Sequence, residues 1–354
     1  MCVEGFGPNE CVYVDFVPPC DPAPLPLPIE ESLPSGESIR SLTFLEAEER
    51  TSLVIGRVTT VDILEVDAEG VLNAGTLALP QPMQLAATGD INGDAVPDML
   101  FHVAGATPRL MTVLSTPEGH VVGPEQDALP CESMAVGPWA SGESAGVACL
   151  LGDQSPVVTP IGEDGLLGRD VVGEYVVTNP YAMTAMDAEF LGRFLVVASP
   201  AAVTGFGPNA DLIYSELLLG PELGTRQLAA LRTDVFDWFF PLIAVTPMSD
   251  WTLIETGEQN FDHPFAALPF VFTKATAGDV EGDGDDDLIV QGPDGLTVVR
   301  HTSTVSLGEM PLTCRYEVAL PFSPTSWAFG DLERDGQPEL IAAQGDTLAR
   351  FVLQ

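Results

Sequence analysis

The stretch GDVEGDGDDDLIV, Gly278 to Val290, decides how the chain is read. Six carboxylates, Asp279, Glu281, Asp283, Asp285, Asp286 and Asp287, fall within nine residues and run straight into an apolar segment. Oxygen-bearing side chains recur at positions 1, 3, 5, 7 and 9 counted from Asp279, with Gly284 at position 6. Carboxylates held so close repel one another and raise each other's pKa unless a cation neutralises them. Hard dications such as Ca2+ take roughly six to eight oxygen ligands in flexible geometry, often including a backbone carbonyl. Asp279, Glu281, Asp283, Asp285 and Asp287 are therefore expected to form a cage for a divalent cation.

The spacing returns twice. Asp90, Asn92, Asp94 and Asp98 repeat positions 1, 3, 5 and 9, with Val96 placed to offer its carbonyl at position 7. Asp331, Glu333, Asp335, Gln337 and Glu339 fill all five positions in a third copy. Each copy follows a glycine and precedes an apolar strand-like run. A single acidic turn is ordinary hairpin chemistry, but three spaced copies predict about three Ca2+ sites. An EF-hand needs flanking helices and a glutamate at position 12. Here Val290 and Ala342 stand at that position in two copies and the flanks read as strands, so the EF-hand reading fails.

Repetition over a few tens of residues marks propellers and solenoids. Besides the anchors at Asp90, Asp279 and Asp331, weaker copies begin at Glu46 and Asp187. Two of the gaps are about twice the others, which predicts degenerate units near Ala135 to Leu151 and Phe236 to Val245. Seven units result, each long enough for a four-stranded antiparallel blade. The expected fold is an all-β, seven-bladed β-propeller of four-stranded antiparallel blades with Ca-binding loops. The segment around Ser38 to Leu45 is expected to pair into the last blade and close the ring, removing exposed edges.

At this point the chain resembles the FG-GAP/VCBS repeats of integrin α-subunit propellers and of bacterial secreted proteins. Their motif, Asp-x-Asp/Asn-x-Asp-Gly-x-x-Asp before an apolar strand, is matched almost throughout by Asp279 to Asp287, with Glu281 at position 3. The copy at Asp90 departs at Gly93 and Ala95, and the copy at Asp331 carries the longer Glu333 and Glu339. The resemblance implies loops that bind Ca2+ and stiffen the blades, with partners bound on the propeller faces.

The bulk numbers bound the function. The 354 residues are 45% hydrophobic with a formal net charge of −39, and Lys274 is the sole lysine. Such a surface repels phosphate backbones and anionic lipid, so nucleic acid is excluded as a partner. No window is long and apolar enough to span a membrane. Six cysteines without a CxxC pair argue against zinc and for disulfides in an oxidising compartment. Cys131 and Cys149 flank a strand–turn–strand segment and are expected to bridge it, and Cys11 and Cys20 could close a second loop. Residues 1–37 read as a Cys/Pro-rich extension or stalk, and 38–354 as the propeller. Cys2 is open to disulfide formation, to remaining a free thiol, or to lipid attachment as in a bacterial lipoprotein.

The four histidines are scattered, and no Gly-x-Ser-x-Gly, HExxH or phosphate-binding loop occurs. The favoured function is a calcium-stabilised secreted, periplasmic or cell-surface module of a bacterium. It would recognise a protein or glycan, self-assemble, or serve a larger surface complex. The alternative is a propeller-fold polysaccharide lyase or hydrolase.

Overall fold

A computed structural model of the 354-residue chain describes residues 2–4, 11–13, 15–16, 19–20, 27–29, 37–47, 50–66, 72–103, 107–116, 119–137, 139, 145–151, 156–172, 182–188, 192–199, 203–207, 212–216, 227–230, 241–245, 250–255, 265–267, 274–280, 286–292, 295–301, 312–318 and 320–352. The expected ligands Glu281, Asp283 and Asp285 lie outside these residues, as do Glu48, Glu189 and residues 236–240 of the weaker copies.

The regular elements described are strands, ordered along the chain as successive antiparallel meanders. The first sheet comprises Ser41–Glu46, Thr51–Gly56, Thr60–Val66 and Leu72–Ala78. The second comprises Gln84–Gly89, Asp98–Val103, Arg109–Thr116 and Gly119–Val122, with Gln126–Asp127 as a fifth strand beside Arg109–Thr116. The third contains Ser133–Gly137, Gly146–Leu150, Val157–Pro160 and Val171–Val172, and the fourth Ala182–Ala188, Gly192–Ala198, Val203–Phe206 and Leu212–Glu216. The fifth contains Gln227–Ala230, Pro241–Val245, Asp250–Glu255 and Phe265–Ala267, and the sixth Lys274–Gly278, Asp287–Gln291, Leu296–His301 and Leu312–Val318. Ser326–Gly330, Glu339–Gln344 and Thr347–Val352 begin the seventh. Five sheets have the four strands expected, two have five, and Cys2–Glu4 pairs with Cys11–Tyr13 in a separate two-stranded sheet, so uniform four-stranded blades number five among the described residues, not seven.

The chain divides into two compact units. One gathers Pro26–Val176, Gly207–Leu212 and Phe322–Gln354, and thus the first, second, third and seventh sheets. The other gathers Met1–Leu25, Val177–Phe206 and Ile213–Pro321, with the fifth and sixth sheets and most of the fourth. In the first of these units the core explains why strands such as TSLVIG are apolar without alternation. Every residue of Thr51–Gly56 is buried. Val54 joins Leu45, Val61 and Ile63 against Met99, Phe101 and Met111 of the second sheet. Leu53 and Ile55 point the other way, against Ile341 and Ala343 of the seventh. A strand covered on both faces needs apolar residues at every position. The second and third sheets meet in the same manner through Leu100, Leu110, Val136 and Val147.

The glycines before the first and third acidic stretches have a steric reason. A Cβ on Gly89 would lie 3.0 Å from Val136 Cγ1, and one on Gly330 would lie 2.6 Å from Phe44 Cγ. In both cases the first strand of the next sheet in the stack occupies that space.

The N-terminal segment departs from the expected stalk. Asp15–Phe16 pairs in parallel with Ala266–Ala267 of the fifth sheet. Cys20 is disulfide-bonded to Cys314 in the sixth sheet, where the expected partner was Cys11. Leu27–Ile29 pairs antiparallel with Arg350–Val352 and completes the seventh sheet. The segment expected in that role, around Ser38 to Leu45, instead contains most of the opening strand of the first sheet. Prolines at alternate positions look incompatible with a ladder, but an outer strand tolerates a residue without N–H where that side faces away from its neighbour. The Cys131–Cys149 bridge is present, with Met134 paired to Cys149 across the hairpin.

Candidate metal loops

The loop from Asp90 to Asp98 joins the first two strands of the second sheet, and the loop from Asp331 to Glu339 joins those of the seventh. Their backbones turn in the same way. Positions 4 and 6 are left-handed in both: Gly93 and Ala95 have φ of 81° and 63°, Arg334 and Gly336 of 54° and 79°. These turns aim successive amides inward. Asp90 accepts hydrogen bonds from the N–H of Gly93 at 2.7 Å, Asp94 at 3.2 Å and Ala95 at 2.9 Å. Asp331 accepts from Asp335 at 3.1 Å and Gly336 at 2.8 Å. Position 5 then accepts from the amide of position 7: Val96 to Asp94 at 2.8 Å, Gln337 to Asp335 at 2.9 Å.

Position 9 is unlike the others. Asp98, Asp287 and Glu339 are all buried. Each accepts a hydrogen bond from the amide of position 2: Ile91 at 2.8 Å, Val280 at 3.1 Å and Leu332 at 2.8 Å. The position-2 side chains are buried too. The three copies therefore share a clamp in which an apolar residue anchors the loop and a carboxylate from the next strand fixes its amide. Oxygen spacing alone marks position 9 as a ligand and gives position 2 no role, although Ile91, Val280 and Leu332 are apolar in all three copies.

The second carboxylate oxygen of position 9 distinguishes the copies. Asp98 Oδ1 accepts the amide of Ser115 at 2.6 Å. The Ser115 hydroxyl donates to Pro97 O at 2.8 Å and lies 3.4 Å from His120 Nδ1, while His120 Nε2 stands 4.0 Å from Glu65 Oε1. Burial raises the Asp98 pKa to about 6, with the charge of Asp94 adding to it and the amides of Ser115 and Ile91 opposing. Burial also lowers the pKa of His120; Glu65 opposes that shift and Arg50 adds to it. In the seventh sheet, Arg350 Nη2 donates to Glu339 Oε1 at 2.5 Å and reaches Glu333 Oε1 at 2.8 Å. Burial raises the Glu339 pKa and the Arg350 bond opposes it. Near Asp287, the hydroxyl of Tyr316 is held un-ionised by burial first and by the Asp287 charge second, against Arg300.

An all-oxygen donor set at positions 1, 3, 5 and 9 suits a hard dication. In the first loop Asn92 and Asp94 already meet at 3.0 Å, and Asp90 lies on the same turn. Among the described residues no three carboxylate, imidazole or thiolate groups converge around one point. At the weaker copy beginning at Glu46, Ala47 and Arg50 exchange two backbone hydrogen bonds. Asp187 lies within a strand, paired with Arg193.

No family model matches the sequence, and no curated protein is similar to it. Solved structures are similar in architecture. BBS1N in its complex with ARL6DN superposes with a TM-score of 0.61 at 16% identity, over 94% of this chain and 98% of that one. The fold is a β-propeller. Sqt1 of Saccharomyces cerevisiae gives 0.53 at 7% identity over 90% of this propeller and 96% of that chain. Virginiamycin B lyase of Staphylococcus aureus gives 0.55 at 12% identity over 90% and 96%. At these identities the likeness is one of fold.

Proposed function

We propose that this propeller is an interaction scaffold of the FG-GAP/VCBS type, stiffened by Ca2+ and working outside the cytoplasm of a bacterium. The observation that carries the reading is the Asp90 loop, whose left-handed turns at positions 4 and 6 gather Asp90, Asn92 and Asp94 on one turn above the clamp made by Asp98; the Asp331 loop repeats that backbone. In this reading the five-stranded sheets count as blades, giving seven, and the middle loop from Asp279 to Asp287 adds a site of the same design. Two disulfides support an oxidising compartment. No helix among the described residues is long and apolar enough to cross a membrane. BBS1N, a propeller of similar extent, is found in complex with ARL6DN, which supports a protein partner held on a blade face or within a larger surface assembly.

Calcium is the test. Extracellular calcium modules bind at about 10⁻⁴ to 10⁻³ M, so about 5 mM Ca2+ should stabilise the fold by about 1–2 kcal/mol over chelator, read as a higher midpoint of thermal unfolding. Asp94→Ala should shrink that response. A midpoint identical in calcium and in chelator would overturn the reading.

A further inference from the structure

The loop from Asp331 to Glu339 does not fit the ion that its spacing invites. Its positions 3 and 9, Glu333 and Glu339, both point to one guanidinium, at 2.8 and 2.5 Å. Arg350 and Glu339 are buried, whereas Glu333 is half-exposed. The arginine comes from the third strand of the sheet, where it pairs with Ile341, two residues beyond position 9. The same lattice point in the second sheet pairs Leu100 with Thr112, whose hydroxyl is neutral and donates to Gly165 O. A glutamate at position 9 is one methylene longer than an aspartate, and that length lets Glu339 hold the Leu332 amide with one oxygen and Arg350 with the other. Asp331 and Asp335 are engaged by loop amides as Asp90 and Asp94 are, so the two loops differ at positions 3 and 9.

We infer that Arg350 takes the place of a metal ion in this loop, so that the seventh sheet is closed without calcium while the second depends on it. The inference rests on the calcium reading for its contrast with the Asp90 loop alone. A buried charge pair whose partner is removed leaves an uncompensated charge, which gives Arg350 the role an ion would have.

The experiment is amide hydrogen exchange on the full chain, resolved by peptide, in millimolar calcium chloride and in chelator. Residues 330–339 are expected to exchange equally in both. Arg350→Gln should speed exchange at the Leu332 amide by about tenfold or more in chelator, since local opening sets the rate, and should make the loop respond to calcium. Slower exchange of 330–339 in calcium for the native chain would overturn the inference, as would an Arg350→Gln chain whose loop exchanges like the native one. If that variant does not fold, Glu333→Gln removes only the half-exposed arm, and unchanged exchange across 333–337 would overturn it equally. Insensitivity of 89–98 to calcium is a separate result: it defeats the calcium reading and leaves the Arg350 inference standing.

Discussion

The bases of the first and third acidic loops occupy equivalent places in the second and seventh sheets, and they neutralise the same kind of buried carboxylate in different ways. Asp98 has two backbone amides, from Ile91 and Ser115, with the imidazole of His120 one step further out. Glu339 has one amide and a guanidinium. A neutral amide stabilises a carboxylate through its dipole; a guanidinium adds a full opposite charge. The comparison teaches that the turn and its anchor are the constant part of this motif, and that the source of positive charge is variable.

The widest separation should come from deleting each base in turn. Arg350→Met leaves Glu339 buried without its cation and should cost about 3–5 kcal/mol in chemical denaturation. Combining it with Glu339→Leu should recover much of that loss, because an apolar pair in the same space lacks the uncompensated charge. Asp98→Ala leaves two buried amides without acceptors and should cost about 2–3 kcal/mol. Equal costs at the two sites would mean that the guanidinium contributes no more than an amide does.

The left-handed positions offer a finer probe. Ala95 stands at position 6, where the third loop has Gly336, and an L-residue there is strained by about 1 kcal/mol. Ala95→Gly should therefore raise stability by about 0.5–1 kcal/mol, whereas Gly336→Ala should lower it by a similar amount. The smallest effect is the pH dependence contributed by His120. His120 has its pKa lowered in the folded state, so the unfolded chain binds its proton first as pH falls below about 6.5. The stability it confers is present above that pH and fades below it. His120→Gln should flatten this part of the pH profile.

Much of this was legible in the sequence for identifiable reasons. Three acidic stretches, each followed by an apolar run, located hairpins of three sheets, because alternating oxygens and turn glycines have few other uses. The Cys131–Cys149 bridge was legible because its hairpin is local. Arg350 was not, since only strand register brings it to Glu339 from eleven residues away. Ser115 is seventeen residues from Asp98 and acts through its amide, which any residue type could supply there. The N-terminal segment misled for the opposite reason. Its many prolines suggested a stalk, yet an outer strand with Pro28 opposite Phe351 needs few donors. Cys20 was matched to its nearest neighbour in sequence, whereas the fold sets it against a cysteine 294 residues away.

Pairing of Leu27–Ile29 with Arg350–Val352 has a consequence for how the molecule is made. During synthesis residues 27–29 must wait, unsatisfied, until residues 350–352 have left the ribosome. Contacts so distant along the sequence make closure a late and slow event. Until then one sheet presents a raw edge, the kind that adds strands from other molecules. Once formed, the join ties residues 27–29 to residues 350–352, so that removing either segment should loosen the same sheet.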